Sequence, residues 1–447
     1  MPHGPRATRK PQAQAQPARN KRPPKAEILR IESLAAGGAG VAHVDERAVF
    51  VPGTAPGEEI EAEVDRSSRP ARGRLLRVIA PSPERVEAAC CGGGCDWIHL
   101  SVRAQETAHA EIVRAAVAHA IGSEPPAVRV HAAPSPLAYR TRARLFARNE
   151  RGRLRVGYRA AGSHALVPVS SCAVLAPSIA PALGDLPEVL AGAKGEGDVQ
   201  LGVGAGGRLV VEIAWRGELP ATTWKIIDQR VADGLWAGAR VRLEGVKTPA
   251  AFGDPRPVLE GADGAPLLIA AGSFAQSSDR GAAILARRVA QLACEDVDAA
   301  KLEIGPTLEL FSGSGTLSIL LAPIAASFVA VESDEEAARC ARENLAARGL
   351  DGKVVVADAD AFAIPARTEV VVLDPPRAGA PGATRAIASG RADRVVYVAC
   401  DPATLARDLG VLVRAGFALT HIETIELFPQ TSHVETVARL VRKRGSR

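Results

Sequence analysis

Leu308-Glu309-Leu310-Phe311-Ser312-Gly313-Ser314-Gly315-Thr316 is the stretch on which the fold turns. Thr307–Phe311 reads as an apolar strand, Ser312–Thr316 as a glycine turn, and Leu317–Ala322 as the start of a helix. A strand that runs through Gly-x-Gly into a helix lets the backbone approach a ligand at the helix N-terminus. The same unit continues outward. Ser327–Glu332 is the next strand and Glu335–Ala347 the next helix, with Val354–Ala357, Val370–Leu373 and Val395–Ala399 as further short apolar strands. Alternation of this kind predicts an α/β, doubly wound, Rossmann-like parallel sheet.

Ligands of such sheets sit at the carboxyl ends of the strands. Glu332 ends the second strand seventeen residues past Gly315, where a carboxylate can hold ribose hydroxyls; an exposed helix-start acid is the plainer alternative. A dinucleotide fingerprint needs a third glycine, and Ser318 stands in its place, so the adenosine of S-adenosylmethionine is a better expectation than NAD. The fourth strand enters Asp374-Pro375-Pro376-Arg377, a rigid loop over the same edge. The fifth ends Val398-Ala399-Cys400-Asp401-Pro402, which places a thiol beside Asp374. Cys294 and Cys340 read as inert core cysteines, whereas Cys400 is placed to act as a nucleophile. In Pro429-Gln430-Thr431-Ser432-His433-Val434-Glu435 the carboxyl of Glu435 is flanked by apolar residues, which favours a raised pKa and base work; His433 alone reads as structural.

The rest of the 447 residues divides by composition. Residues 1–25 hold seven Lys and Arg and no acid, which leaves a net charge of about −2 from the chain's +5 for everything after them. That tail reads as disordered, either a polyanion-binding arm or a solubilising extension. Residues 26–80 predict a small barrel of five strands (Ala26–Leu34, Val41–Val44, Ala48–Val51, Glu59–Val64 and Arg74–Ile79) of the OB type common in RNA-binding proteins. A Cys/Gly-rich knot follows at 88–99, then a helix over Val102–Ile121, then an antiparallel sheet over 128–260. Tyr139–Arg159 carries eight Arg against one acid, and a strand through Arg140-Thr141-Arg142-Ala143-Arg144 would set three guanidiniums on one face, suited to phosphates. A solvated face with scattered ion pairs is the alternative. No run of eighteen apolar residues exists to span a membrane, and no apolar signal segment opens the chain. Seven unevenly placed cysteines do not form a disulfide framework, which points to the cytoplasm and to thiols that are free, catalytic or metal-bound.

Taken together, LELFSGSGTLS, VVVLDPPRAG, VVYVACDPATLARD and FPQTSHVE resemble the signature blocks of the bacterial RNA uracil-C5 methyltransferases, and YRTRARL, VGYRAAGSHALVPVSSCAVL and GSFAQSS resemble their central-domain blocks. The resemblance spans about residues 26–440, and the N-terminal barrel is similar to the TRAM domain of the 23S rRNA branch. It implies a basic tail (1–25), a TRAM barrel (26–80), a central domain (81–275) and an S-adenosylmethionine-dependent methyltransferase domain (276–447). It further implies Cys400 as the nucleophile that adds to uracil C6, Glu435 as the base that removes the C5 proton, and Gln276, Phe311, Thr316, Glu332, Asp358 and Asp374 at the cofactor and base site. The family's [4Fe–4S] cluster maps to Cys90, Cys91, Cys95 and Cys172, with a zinc site or reduced thiols as alternatives because Cys90 and Cys91 are adjacent. The implied partner is 23S rRNA, with tRNA the nearest alternative substrate, and the implied state is a cytoplasmic monomer.

Three residues depart from the family pattern. Thr316 and Asp401 replace Asn, and Asp358 stands where Asn is frequent. An anion next to Cys400 would raise its pKa and weaken it. Two rivals stay open: an iron–sulfur oxidoreductase using flavin or NAD, which lacks its third glycine, and a non-catalytic RNA-binding protein on a methyltransferase scaffold.

Overall fold

The computed structural model describes residues 25–90, 93–159, 165–295 and 303–443; the expected basic tail lies almost wholly outside them. Residues 25–80 make a six-stranded sheet in the order Lys25–Arg30, Glu59–Asp65, Ala71–Ala80, Arg47–Val51, Gly40–Val44, Ser33–Leu34. Alternation along Glu59–Asp65 turns Ile60, Ala62 and Val64 inward, where they meet Leu29, Ile31, Ala42, Val49 and Val51 in one core. The single strand expected over Ala26–Leu34 is two. Lys25–Arg30 pairs with Glu59–Asp65 and Ser33–Leu34 with Gly40–Val44. The switch falls at Ile31 and Glu32, whose amides bond Glu58 and Val41 respectively.

The central sheet has seven strands, ordered Leu166–Pro168, Arg153–Arg159, Ala143–Glu150, Lys194–Val203, Leu209–Glu218, Trp236–Leu243, Ala250–Gly253. It is antiparallel except where Leu209–Glu218 and Trp236–Leu243 run parallel; helix Ala221–Ala232 between them supplies the crossover that a parallel pair requires. The arginine row does not form as expected. The ladder begins only at Ala143, and the approach to it is tied down by bonds from Arg140 N to Val174 O and from Thr141 N to Ser277 O. Arg142 is half-buried, with Nη2 donating to Ser273 O, and Arg140 lines a small cavity with three cysteines, although all three arginines border one open pocket. Arg144 alone of the three is exposed, and it pairs with Asp198.

The third sheet has eight strands, ordered Lys353–Val356, Phe328–Glu332, Thr307–Leu310, Val370–Leu373, Arg394–Ala399, Glu435–Arg442, Phe417–Ile425, Arg129–His131. The first five are parallel, and the order reverses between Thr307–Leu310 and Val370–Leu373, which is the switch point of the doubly wound design. Val370–Leu373 is buried throughout, as a central strand covered on both faces must be. Glu435–Arg442 is antiparallel to both of its neighbours. The outermost strand, Arg129–His131, and helix Val102–Ile121, which packs on helix Pro402–Arg414, precede the central sheet in the chain yet complete this layer. Among the described residues no helix is long and apolar enough to cross a membrane.

Candidate active site

The site forms at the carboxyl edge of the eight-stranded sheet, around the switch point. In the antiparallel ladder Ala399 faces Thr436, so one step further along that register sets Cys400 opposite Glu435. Asp374 leaves the adjacent strand end, its amide bonded to Leu310 O. Glu435 is 1% exposed, and burial, reinforced by the Asp374 charge, lifts its carboxyl well above the usual range. Burial lifts Asp374 to about 7. The Cys400 thiol is pushed up to about 11, first by burial, then by Glu435 and Asp374, with Arg377 opposing. A thiol and two high-pKa carboxyls in one crevice have the chemistry to form and break a carbon–sulfur bond and to move a proton beside it.

Asp401 does not act as its position suggests. It caps helix Pro402–Arg414, accepting from Ala403 N at 3.0 Å and Thr404 N at 2.9 Å; its charge is directed at the helix N-terminus, and the acids that raise Cys400 are Glu435 and Asp374. His433 receives a hydrogen bond from Arg377 Nη2 at 3.2 Å, and burial followed by that guanidinium lowers its pKa, which keeps it neutral.

The glycine turn lies alongside. Phe311 (φ 63°) and Gly313 (φ 54°) adopt left-handed conformations, which roll the backbone over the strand end. Glu332 ends its strand as expected, with Oε2 accepting from Gly313 N at 2.8 Å. Thr316 is half-buried within the turn, and Asp358 is exposed just past strand Lys353–Val356, bonding Asp360 N at 3.0 Å. Gln276 is buried from the other side, and its Oε1 has no hydrogen-bond partner among the described residues. A buried carbonyl oxygen left open at such an edge is what a ligand donor would complete.

Two residues escaped the sequence reading. Glu309, beneath the turn, is pushed up to about 8 by burial and accepts from Ser318 Oγ at 2.6 Å; a carboxylate inside an apolar strand was its only signal. Phe274 is 75% exposed on an open cavity of about 290 Å³ that is lined also by Arg140, Arg142, Arg144 and Gln200. An aromatic within the Gly-Ser loop before Gln276 could have marked it.

Of the expected cluster ligands, Cys90, Cys95 and Cys172 line one small cavity with Arg140 and Tyr158, and Cys91 lies outside the described residues. Burial pushes the Cys95 thiol up to about 12, with Arg140 opposing and the neighbouring thiols adding to it. Among the described residues no group of three or more His, Cys, Asp or Glu side chains is set to hold a metal ion. The three described thiols are one short of the four that a [4Fe–4S] cluster takes.

Known proteins bear on this arrangement. The TRAM domain family matches residues 28–76, the methyltransferase small domain 266–389, and the tRNA (Uracil-5-)-methyltransferase family 360–443. An uncharacterized RNA methyltransferase of Gloeobacter violaceus is 33% identical over 92% of this chain and 95% of its own length. The 23S rRNA (uracil(1939)-C(5))-methyltransferase RlmD of Pectobacterium carotovorum is 32% identical over 95% of this chain and 96% of its own. Among solved structures, the tRNA (uracil-54, C5)-methyltransferase of Pyrococcus abyssi in complex with S-adenosyl-L-homocysteine superposes with a TM-score of 0.71 at 26% identity, covering 93% of this chain and all of that one. With a TRAM barrel at one end, a methyltransferase sheet at the other and relatives of this kind along nearly its whole length, the chain belongs to the RNA (uracil-C5)-methyltransferase family of enzymes.

Proposed function

We propose that this enzyme methylates C5 of a uridine in 23S rRNA, in the cytoplasm and as a monomer, through a covalent bond between Cys400 and uracil C6. The observation that carries the reading is the register that sets Cys400 opposite Glu435 with Asp374 beside both. S-adenosylmethionine, when bound, supplies an electrophilic methyl group on a sulfonium. Gln276, Phe311, Thr316, Glu332 and Asp358 surround the place for it and for the base; the unpartnered Gln276 Oε1 is positioned to accept a hydrogen bond there. Cys400 loses its proton to solvent and its sulfur adds to C6, which pushes the C5–C6 pair onto C5 and O4; C5 then takes the methyl group as the sulfonium S–CH3 bond breaks and S-adenosylhomocysteine leaves. Asp374, when ionised, accepts a hydrogen bond from uracil N3–H, and its pKa of about 7 sets how much of it is in that form. The Glu435 carboxylate then takes the C5 proton; the C5–H pair restores the C5–C6 double bond, and the C6–S bond breaks with the thiolate leaving. Phe274 offers an exposed ring for stacking an unpaired base.

The choice of rRNA over tRNA rests on relatives named for 23S rRNA along nearly the whole chain. The iron–sulfur centre is the finer part of the reading: Cys90, Cys95 and Cys172 gather about Arg140, none of the steps above passes through a cluster, and the iron, zinc and sulfide content of anaerobically purified protein distinguishes [4Fe–4S], zinc and reduced thiols. The reaction itself is tested with 5-fluorouridine RNA, in which fluorine at C5 blocks the last proton removal. An SDS-stable adduct with wild type but not with Cys400→Ala is expected on 23S rRNA fragments; an adduct on tRNA alone would reassign the substrate, and none on either would leave a binding protein.

A further inference from the structure

The base does not sit on a self-supporting element. Glu435 is the first residue of its strand, and the nine residues before it (426–434) connect two antiparallel strands. Within that connection Gln430 holds φ 71°, a left-handed conformation that a non-glycine residue keeps only where its surroundings over-determine it. The restraints come from the other end of the chain. Gln105, 2% exposed on helix Val102–Ile121, accepts from Gln430 N at 2.7 Å and offers its Nε2 to Gln430 Oε1 at 3.1 Å and Leu100 O at 2.9 Å. Trp97 N donates to Gln430 O at 3.0 Å, and Asp96 Oδ1 accepts from Ser432 N at 2.9 Å. A Cβ at Gly38 of the TRAM barrel would overlap the Asp96 carboxylate and lie 3.2 Å from Ser432 Oγ, so the barrel also borders this connection.

We propose that Gln105 is a positioning residue for Glu435: by bonding both the main chain and the side chain of Gln430 it fixes the segment that delivers the base, so that it governs the elimination half of the reaction and not the methyl transfer. This rests on the covalent reading given above. Adduct formation uses Cys400, Asp374 and the methyl donor, none of which Gln105 touches; proton removal from C5 needs the Glu435 carboxylate at hydrogen-bond distance from a single atom. A displacement of about 1 Å at a reacting group can cost on the order of a hundredfold, so a loosened connection slows only the step that uses Glu435.

The test compares wild type, Gln105→Ala and Gln105→Met, the last keeping volume without hydrogen bonds. Three quantities are followed on the same 23S rRNA fragment: Cys400-dependent adduct on 5-fluorouridine RNA, which also counts folded active sites; single-turnover methyl transfer from S-adenosylmethionine; and tritium release from [5-³H]uridine. In both variants, methyl transfer per folded site should stay within about twofold of wild type, tritium release should slow roughly tenfold or more, and an SDS-stable enzyme–RNA species should build up on ordinary uridine. Methyl transfer and tritium release slowing together, or neither changing, overturns the positioning role. Absence of any adduct with wild type is a different failure: it removes the covalent reading and this inference with it.

Discussion

The protonation state of Cys400 in the free enzyme gives a direct check on the crevice. An exposed thiol with a pKa of 9.0 is about 10% thiolate at pH 8; with a pKa of about 11 the thiolate fraction is about a hundredfold smaller. The more basic thiolate is also intrinsically more reactive, by about tenfold for that shift, so alkylation of Cys400 at pH 8 should run roughly tenfold slower than that of a model thiol. The pH dependence is sharper still. A raised pKa means the reactive form is scarce until pH approaches 11, so the iodoacetamide rate at Cys400, followed by peptide mass spectrometry, should climb about a decade per pH unit through pH 9 and 10 without a plateau. Asp374 titrates near 7 and is charged throughout that range; Asp374→Asn removes a negative neighbour, favours the thiolate and moves the profile to lower pH. Asp401→Ala should leave the profile in place while costing about 1 kcal/mol of stability through the lost helix cap. A wild-type plateau at or below pH 9, or equal displacement by Asp401→Ala and Asp374→Asn, would refute the assignment of charges around the thiol.

Gln276→Leu removes a buried oxygen that lacks a protein partner; turnover should fall roughly ten- to a hundredfold while the melting temperature holds or rises, since no protein hydrogen bond at that atom is lost. His109 presents Nδ1 to Glu426 Oε2 at 2.8 Å and Nε2 to Thr431 O at 3.1 Å, fully buried beside Trp97. His109→Ala should destabilise the protein by about 3 kcal/mol or more, read from its denaturation midpoint, because a buried carboxylate loses its partner.

The catalytic sheet was legible because parallel strands covered on both faces must be short apolar runs, and because residues just past their ends converge at one edge. Glu332, Asp374 and Cys400 could therefore be placed by counting from strand ends, and Glu435 by the strand that follows it. The arginine segment was misread for a related reason. Alternation fixes a face only inside a ladder, and Arg140 and Arg142 lie just before one begins. Gln105 gave no signal at all, since a glutamine in a helix reads as surface and its partner, Gln430, is 325 residues away. Phe274 lies in a loop without period, where exposure cannot be read from neighbours.

The place of helix Val102–Ile121 in the final layer also sets a timetable for synthesis. About 280 residues separate it from helix Pro402–Arg414, on which it packs. At typical translation rates that interval lasts on the order of tens of seconds, during which Val113 and Val117, buried in the finished core, have no native cover. The TRAM barrel and the central sheet, whose strands pair among themselves, can close in that time. The catalytic layer is completed last, when the returning C-terminal strands meet a helix and an edge strand made long before, so a chain released early by a stop codon before residue 402 carries that apolar face uncovered and becomes a substrate for chaperones and proteases.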